Sequence, residues 1–164
     1  MPRPGTRKSI YVEAEPQDVY DFALGDLQSL PDWMSTVDSV ESADENWPAV
    51  GSSHTYTRTL NGRTIVGKTT IVEAEPPRRV VMREEMSAEG QPDLPARAGR
   101  SIWTFESEGS GTRVTMELEG TELGLPIYLI WKLLFGRQVA HNLEQSLASL
   151  KRICEEELED VAGG

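Results

Sequence analysis

The sequence predicts an α+β fold in which a curved antiparallel sheet carries one long helix on a single face. Three observations lead there. Six short runs between residues 37 and 119 alternate apolar and polar residues, and each is closed by turn residues. No helical pattern is interleaved with them, which excludes the strand-helix alternation of a parallel sheet. From residue 126 onward the spacing turns helical, with Ala140, Leu143, Leu147, Leu150 and Cys154 on one stripe.

Taken in order, residues 1–6 are rich in Pro and Gly and are expected to fray. Residues 9–13 form a first strand with Ile10 and Val12 on one face. Pro16 then stands where a first helical turn tolerates it, Asp18 lies near the positive end of the helix dipole, and Val19, Phe22 and Ala23 make an apolar stripe. Gly25 ends that helix, and a brief second one is expected around residues 27–30, before Pro31 and Trp33. Two short helices where one long helix would be usual fit the rim of a curved sheet, and Trp33 falls at the end of that rim.

Strands are then expected over 37–43, 52–60, 63–74, 79–86, 100–106 and 112–119. Asn61-Gly62 is the strongest hairpin signal in the chain, and Pro76-Pro77 forces a break between the next two strands. Residues 87–99, with Pro92 and Pro95, form a long loop, and the stretch SEGSG closes the last hairpin. One continuous amphipathic helix is expected over 126–158, kinked or framed by Gly136, with 159–164 as a tail.

The bulk properties bound the function. A chain of 164 residues fits one domain over residues 1–164, a size that buries roughly 70% of the unfolded surface. Its net charge of −11 argues against nucleic acid, whose recognition rests on clustered Lys and Arg. The single Cys154 offers no internal disulfide, and the N-terminus MPRPGTRKS lacks an apolar leader core, so a cytoplasmic setting is expected. No apolar run reaches the roughly 20 residues of a transmembrane helix. Two distant histidines and one cysteine give no metal-ligand spacing, and neither a phosphate loop nor a nucleophile elbow occurs, so no metal and no cofactor is expected.

Several stretches carry a resemblance. They are SIYVEAEPQDVYDF with the Trp33 that follows, VDSVESA leading to Gly51, IVEAEPPRRVV, the Trp103 and Phe105 pair followed by SGTRVTMELE, and the closing NLEQSLASLKRICEE. Together they are similar to the polyketide cyclase/dehydrase-like group of the START-like (SRPBCC) superfamily. The resemblance implies a helix-grip fold: a seven-stranded antiparallel sheet wrapped around the C-terminal helix, enclosing a cavity for hydrophobic small molecules. Some members of the group are catalysts, and many are carriers.

On period-2 alternation His54, Tyr56 and Arg58 share one face of their strand, and the resemblance turns that face inward. This is the most polar inward set in the chain. Read functionally, Arg58 supplies a cation for a carboxylate or enolate, Tyr56 a hydroxyl donor and His54 a proton carrier. Read structurally, Arg58 snorkels at a rim, Tyr56 is core, and His54 is a satisfied buried histidine. Trp33, Trp103, Phe105 and Met116, with Leu143 on the helix, are the expected apolar wall. His141 sits off the helical stripe as a boundary residue, and Cys154 among acids is expected to be inert. The aromatase/cyclase members carry polar side chains on the strand before the Pro-rich turn, where this chain has Ile71 and Val72, which argues against cyclase chemistry.

Three functions follow as expectations. The first is a non-enzymatic protein that binds or carries a lipid, polyketide or quinone-like molecule. The second is a cyclase or dehydratase using His54, Tyr56 and Arg58. The third is an interaction module using the apolar segment 124–135, which would contact a second copy of the chain or a membrane surface.

Overall fold

The computed structural model describes residues 5–60, 62–88, 97–120, 125–134 and 136–163. Seven strands form one antiparallel sheet: β1 (Gly5–Val12), β2 (Ser39–Ala43), β3 (Ser53–Leu60), β4 (Arg63–Glu75), β5 (Arg79–Ala88), β6 (Arg97–Glu108) and β7 (Gly111–Glu119). Their order across the sheet is β1-β7-β6-β5-β4-β3-β2. Sequential hairpins generate that order from β2 to β7, and β1 closes against β7 in the register Gly5↔Glu119 to Val12↔Thr112. Gly5 and Thr6 therefore pair in a strand, where the sequence reading expected fraying.

Between β1 and β2 the rim is built as expected, in short pieces. Helix α1 (Pro16–Tyr20) widens into a π-helical turn (Asp21–Gly25), and a 3-10 turn (Leu27–Ser29) leads into α2 (Leu30–Trp33). The Asp26 carboxylate accepts from the Ser29 amide at 3.3 Å, capping the restart. Val37, expected in a strand, is buried in the connection ahead of β2. In the β3–β4 hairpin Gly62 has φ 76°, the left-handed conformation that the Asn-Gly signal demanded; Asn61 lies outside the described residues.

The C-terminal region is helical on both sides of residue 135, which lies outside the described residues. It comprises α3 (Leu125–Leu134) and α4 (Gly136–Gly163). Helix α4 runs through Gly163, beyond the expected end at 158. Leu143, Leu147, Leu150 and Cys154 are its buried stripe, as the spacing predicted.

Helix α4 is pinned to β1 and to the end of α2. The Lys151 ammonium donates to the Tyr11 carbonyl at 3.0 Å, and the Glu155 carboxylate accepts from both the Glu13 amide at 2.8 Å and Lys151 at 2.6 Å. Ser146, buried on the same helix, accepts from the Ser35 amide at 3.0 Å just after α2. Under this helix the sheet's inner face contributes Val12, Val114, Met116, Phe105, Trp103, Val80, Met82 and Ile71 to one contiguous core. Alternation buries Ile71 and turns Val72 outward, 47% exposed, just where a bulge between Ile71 and Glu73 shifts the register. Most of the 87–99 loop lies outside the described residues, and β5 and β6 remain paired as far as Met86↔Arg97.

Candidate functional site

Strand alternation carries the site. His54 and Tyr56 on β3 point to the inner face and are buried, with Arg58 half-buried beyond them. Tyr56 stands opposite Gly67 of β4. That glycine is what admits the ring, because a Cβ at residue 67 would lie 2.2 Å from the Tyr56 Cζ. Trp47, between β2 and β3, meets the His54 ring edge-on with centroids 4.6 Å apart, and its indole N–H is held by the Leu24 carbonyl at 2.6 Å.

The register extends the polar row across two more strands. His54 pairs with Thr69, and Thr69 with Glu84 of β5. The Thr69 hydroxyl donates to Glu84 Oε2 at 2.7 Å, while no hydrogen bond to the other carboxyl oxygen is present among the described residues. Further along, the Trp103 indole N–H donates to the Ser101 hydroxyl at 2.8 Å, and Trp103 packs edge-on against Trp33 at 5.8 Å.

Burial sets the protonation of the row. It raises the Glu84 carboxyl to about 7, opposed only by the Thr69 hydrogen bond, with no cation contributing. Glu84 as a whole keeps some surface. Burial lowers His54 to about 4, so its imidazole is neutral at pH 7. Tyr56 is raised above its ordinary value, first by burial and then by the charge of Glu84, while Arg58 works the other way. Tyr56 therefore lies within electrostatic reach of both charges. Among the described residues no ion pair joins Glu84 to Arg58.

Among the described residues four buried polar atoms find no hydrogen-bond partner: Arg58 Nε, His54 Nδ1, Trp33 Nε1 and the Tyr20 hydroxyl. Buried polar groups in folded proteins are almost always paired; of these four, His54 Nδ1 and Arg58 Nε share the inner face of β3, while Trp33 and Tyr20 belong to the rim helices.

The residues singled out from sequence fall into two groups. Trp33, Phe105 and Met116 are at most 1% exposed and leave essentially no surface open to water or ligand as packed. Trp103, Leu143, His54 and Tyr56 keep 4–8%, and Arg58 more. Cys154 is fully buried with its thiol pushed up to about 12, and His141 is exposed. Sequence reasoning passed over Glu84, Thr69, Ser101 and Trp47. Glu84 was recoverable, since the alternation that buries Val80 and Met82 places residue 84 on the same face. Trp47 gave no periodic signal, because it lies in a connection.

On α3, Leu129, Ile130, Leu133 and Leu134 are 54%, 57%, 82% and 64% exposed. Among the described residues no helix is long and apolar enough to cross a membrane, and no group of three or more His, Cys, Asp or Glu side chains is arranged to hold a metal.

A seven-stranded antiparallel sheet gripping a long C-terminal helix, with short helices after the first strand, defines the class as helix-grip. The chain belongs to the SRPBCC-type family described as polyketide cyclase / dehydrase and lipid transport, whose model matches residues 4–155. Solved structures share the fold. The di-domain ARO/CYC StfQ from the steffimycin biosynthetic pathway superposes with a TM-score of 0.68 at 17% identity, over 95% of this chain and 52% of its own. Protein Ms6760 from Mycobacterium smegmatis gives 0.67 at 15% identity over 92% and 90%. TTHA0849 from Thermus thermophilus gives 0.59 at 24% identity over 92% and 97%. Among curated proteins, none matches the sequence.

Proposed function

We propose that this chain binds a hydrophobic small molecule, of lipid, polyketide or quinone type, between the inner face of the sheet and α4, with the ligand's polar end at Tyr56 and Arg58. The observation that supports this reading is the pair of incompletely bonded polar groups, His54 Nδ1 and Arg58 Nε, on the inner face of β3 beside an apolar core. Trp103 and Leu143 form the apolar wall, and Trp33, Phe105 and Met116 the packed floor behind it. The family description, which joins cyclase and lipid-transport proteins, is compatible with binding and with catalysis.

The protonation states of His54 and Tyr56 argue against acid/base chemistry by those two groups. A cyclase or dehydratase would use His54 or Tyr56 as acid or base and Arg58 to stabilise an enolate. A histidine held at about 4 and a tyrosine that keeps its proton well above neutrality both serve as hydrogen-bonding groups at pH 7 and exchange protons poorly. The test is direct. Arg58→Ala and Tyr56→Phe should each weaken binding of a ligand extracted from the native protein. Unchanged affinity in both would remove the polar anchor, and recovery of a chemically altered ligand would favour the enzyme.

A second reading concerns α3. Among the described residues α3 exposes four large apolar side chains, Leu129, Ile130, Leu133 and Leu134. Residues 125–143 contain no acid but include Lys132 and Arg137, in a chain whose net charge is −11. This local reversal of charge beside an apolar row supports contact of α3 with a lipid surface, lying in its plane. Leu133→Glu should abolish co-sedimentation with phosphatidylcholine/phosphatidylglycerol vesicles. A concentration-dependent dimer that Leu133→Glu dissolves would assign the row to a second copy of the chain.

A further inference from the structure

The inner row holds a carboxyl that the anchor of Tyr56 and Arg58 does not use. Glu84 receives one hydrogen bond, from Thr69, and its second oxygen is unbonded among the described residues. It makes no ion pair with Arg58 among those residues, yet Tyr56 feels both. The Tyr56 ring is seated over Gly67, and the next inward position along β4 is Thr69, the partner of Glu84. A ligand head beside the Tyr56 hydroxyl therefore meets an acceptor on the Glu84 side and donors on the Arg58 side.

Three head groups can be compared. A hydrocarbon satisfies none of these atoms. A carboxylate accepts from Tyr56 and Arg58 but has no hydrogen to give Glu84, and against ionised Glu84, the majority form at pH 7.5, it makes a like-charge contact. An alcohol or phenol donates to the carboxyl and accepts from Tyr56 in one position, engaging the acceptor and a donor together.

Resting on the binding function proposed above, we infer that Glu84 is the specificity-determining residue of the site. It selects hydrophobic ligands that carry an uncharged hydroxyl and disfavours those that carry an anionic head. Sites built to hydrogen-bond a hydroxyl discriminate strongly against analogues lacking it, because the protein's own polar groups are then left unpaired. Nothing in the inference requires turnover; the hydroxyl is held, and no bond is made or broken.

The experiment uses three probes of equal ring size, 1-naphthol, 1-naphthoate and naphthalene, titrated at pH 7.5 and followed by fluorescence. The wild-type protein should bind 1-naphthol at least about tenfold more tightly than 1-naphthoate. Glu84→Leu should lose that preference by weakening naphthol about tenfold while leaving naphthalene unchanged. Glu84→Gln keeps an acceptor and removes the charge, so it should hold naphthol within about threefold and admit naphthoate better than wild type. Circular dichroism of both variants establishes that they are folded, and Glu84→Gln carries the test if Glu84→Leu is not. Equal affinity for naphthol and naphthoate in the wild type, or an unchanged ratio in the variants, would overturn the selectivity and leave the binding function intact. Failure of all three probes to bind would overturn the binding function, and this inference with it.

Discussion

The seat of Tyr56 over Gly67 anchors the whole polar row, and Gly67→Ala tests it. A methyl at residue 67 would begin 2.2 Å from the Tyr56 Cζ, with two further ring atoms at 2.6 Å. Comfortable carbon contact needs about 3.5–4 Å, so the ring must shift by roughly 1.5 Å. Overpacking of this kind costs about 1–3 kcal/mol. Working against that, alanine is about 0.5–1 kcal/mol better than glycine inside a strand, and residue 67 needs no left-handed backbone. The net expectation is a loss of about 1–2 kcal/mol, which for a chain of this size lowers Tm by roughly 2–8 °C. In a Tyr56→Ala background the obstacle is gone and the same substitution should stabilise by about 0.5 kcal/mol. Urea denaturation followed by tryptophan fluorescence on the four proteins of this cycle gives the coupling, expected near about 2 kcal/mol. A Gly67→Ala protein as stable as wild type, or one whose loss persists without Tyr56, would refute the placement of the ring.

Further expectations concern titration, reactivity and the core. Glu84, at about 7 when folded against 4.5 when free, keeps a proton in the folded state that the unfolded chain has lost, so its contribution to stability falls as pH rises from 4.5 to 7. His54, at about 4 against 6.5, refuses a proton that the unfolded chain binds, so its contribution rises with pH over that range. The two oppose each other where they overlap, and Glu84→Gln should unmask a climb on the order of 2–3 kcal/mol between about pH 4 and 6.5; a flat profile in that variant would contradict the burial of His54. Cys154, fully buried with a thiol near about 12, should resist alkylation by iodoacetamide until urea unfolds the chain, and rapid labelling of the folded protein would show the stripe of α4 to be open. Met116→Ala, at a site with no exposed surface, should cost about 2–5 kcal/mol by chemical denaturation, whereas a loss below about 1 kcal/mol would mean that a void already lies beside it.

Much of the fold was legible because it is written in short-range signals. The period-2 runs gave the strands in order, Gly62 and the paired prolines gave two of the turns, and Gly25 gave the end of the first helical stretch of the rim, whereas Pro31, expected after the second short helix, stands in the first turn of α2. What escaped was decided by tertiary pairing. Gly5 lacks a side chain to favour a strand, and Gly5 and Thr6 are ordered by the β7 residues opposite them. Half of the polar row was readable from β3. The rest depends on register, which brings Thr69 and Glu84 into line with His54 from neighbouring strands, and a glutamate between Met82 and Met86 reads as a surface charge until the alternation is followed through it.

Whether the inner face holds a ligand is decided most directly by native mass spectrometry of the protein purified from its own source. A 1:1 adduct that is lost on unfolding, extracts into organic solvent as a hydroxyl-bearing hydrophobic molecule and is depleted in Tyr56→Phe and Glu84→Leu is the expected result. A protein that flies at its bare mass under the gentlest conditions, and that then binds none of the naphthalene probes, would contradict it.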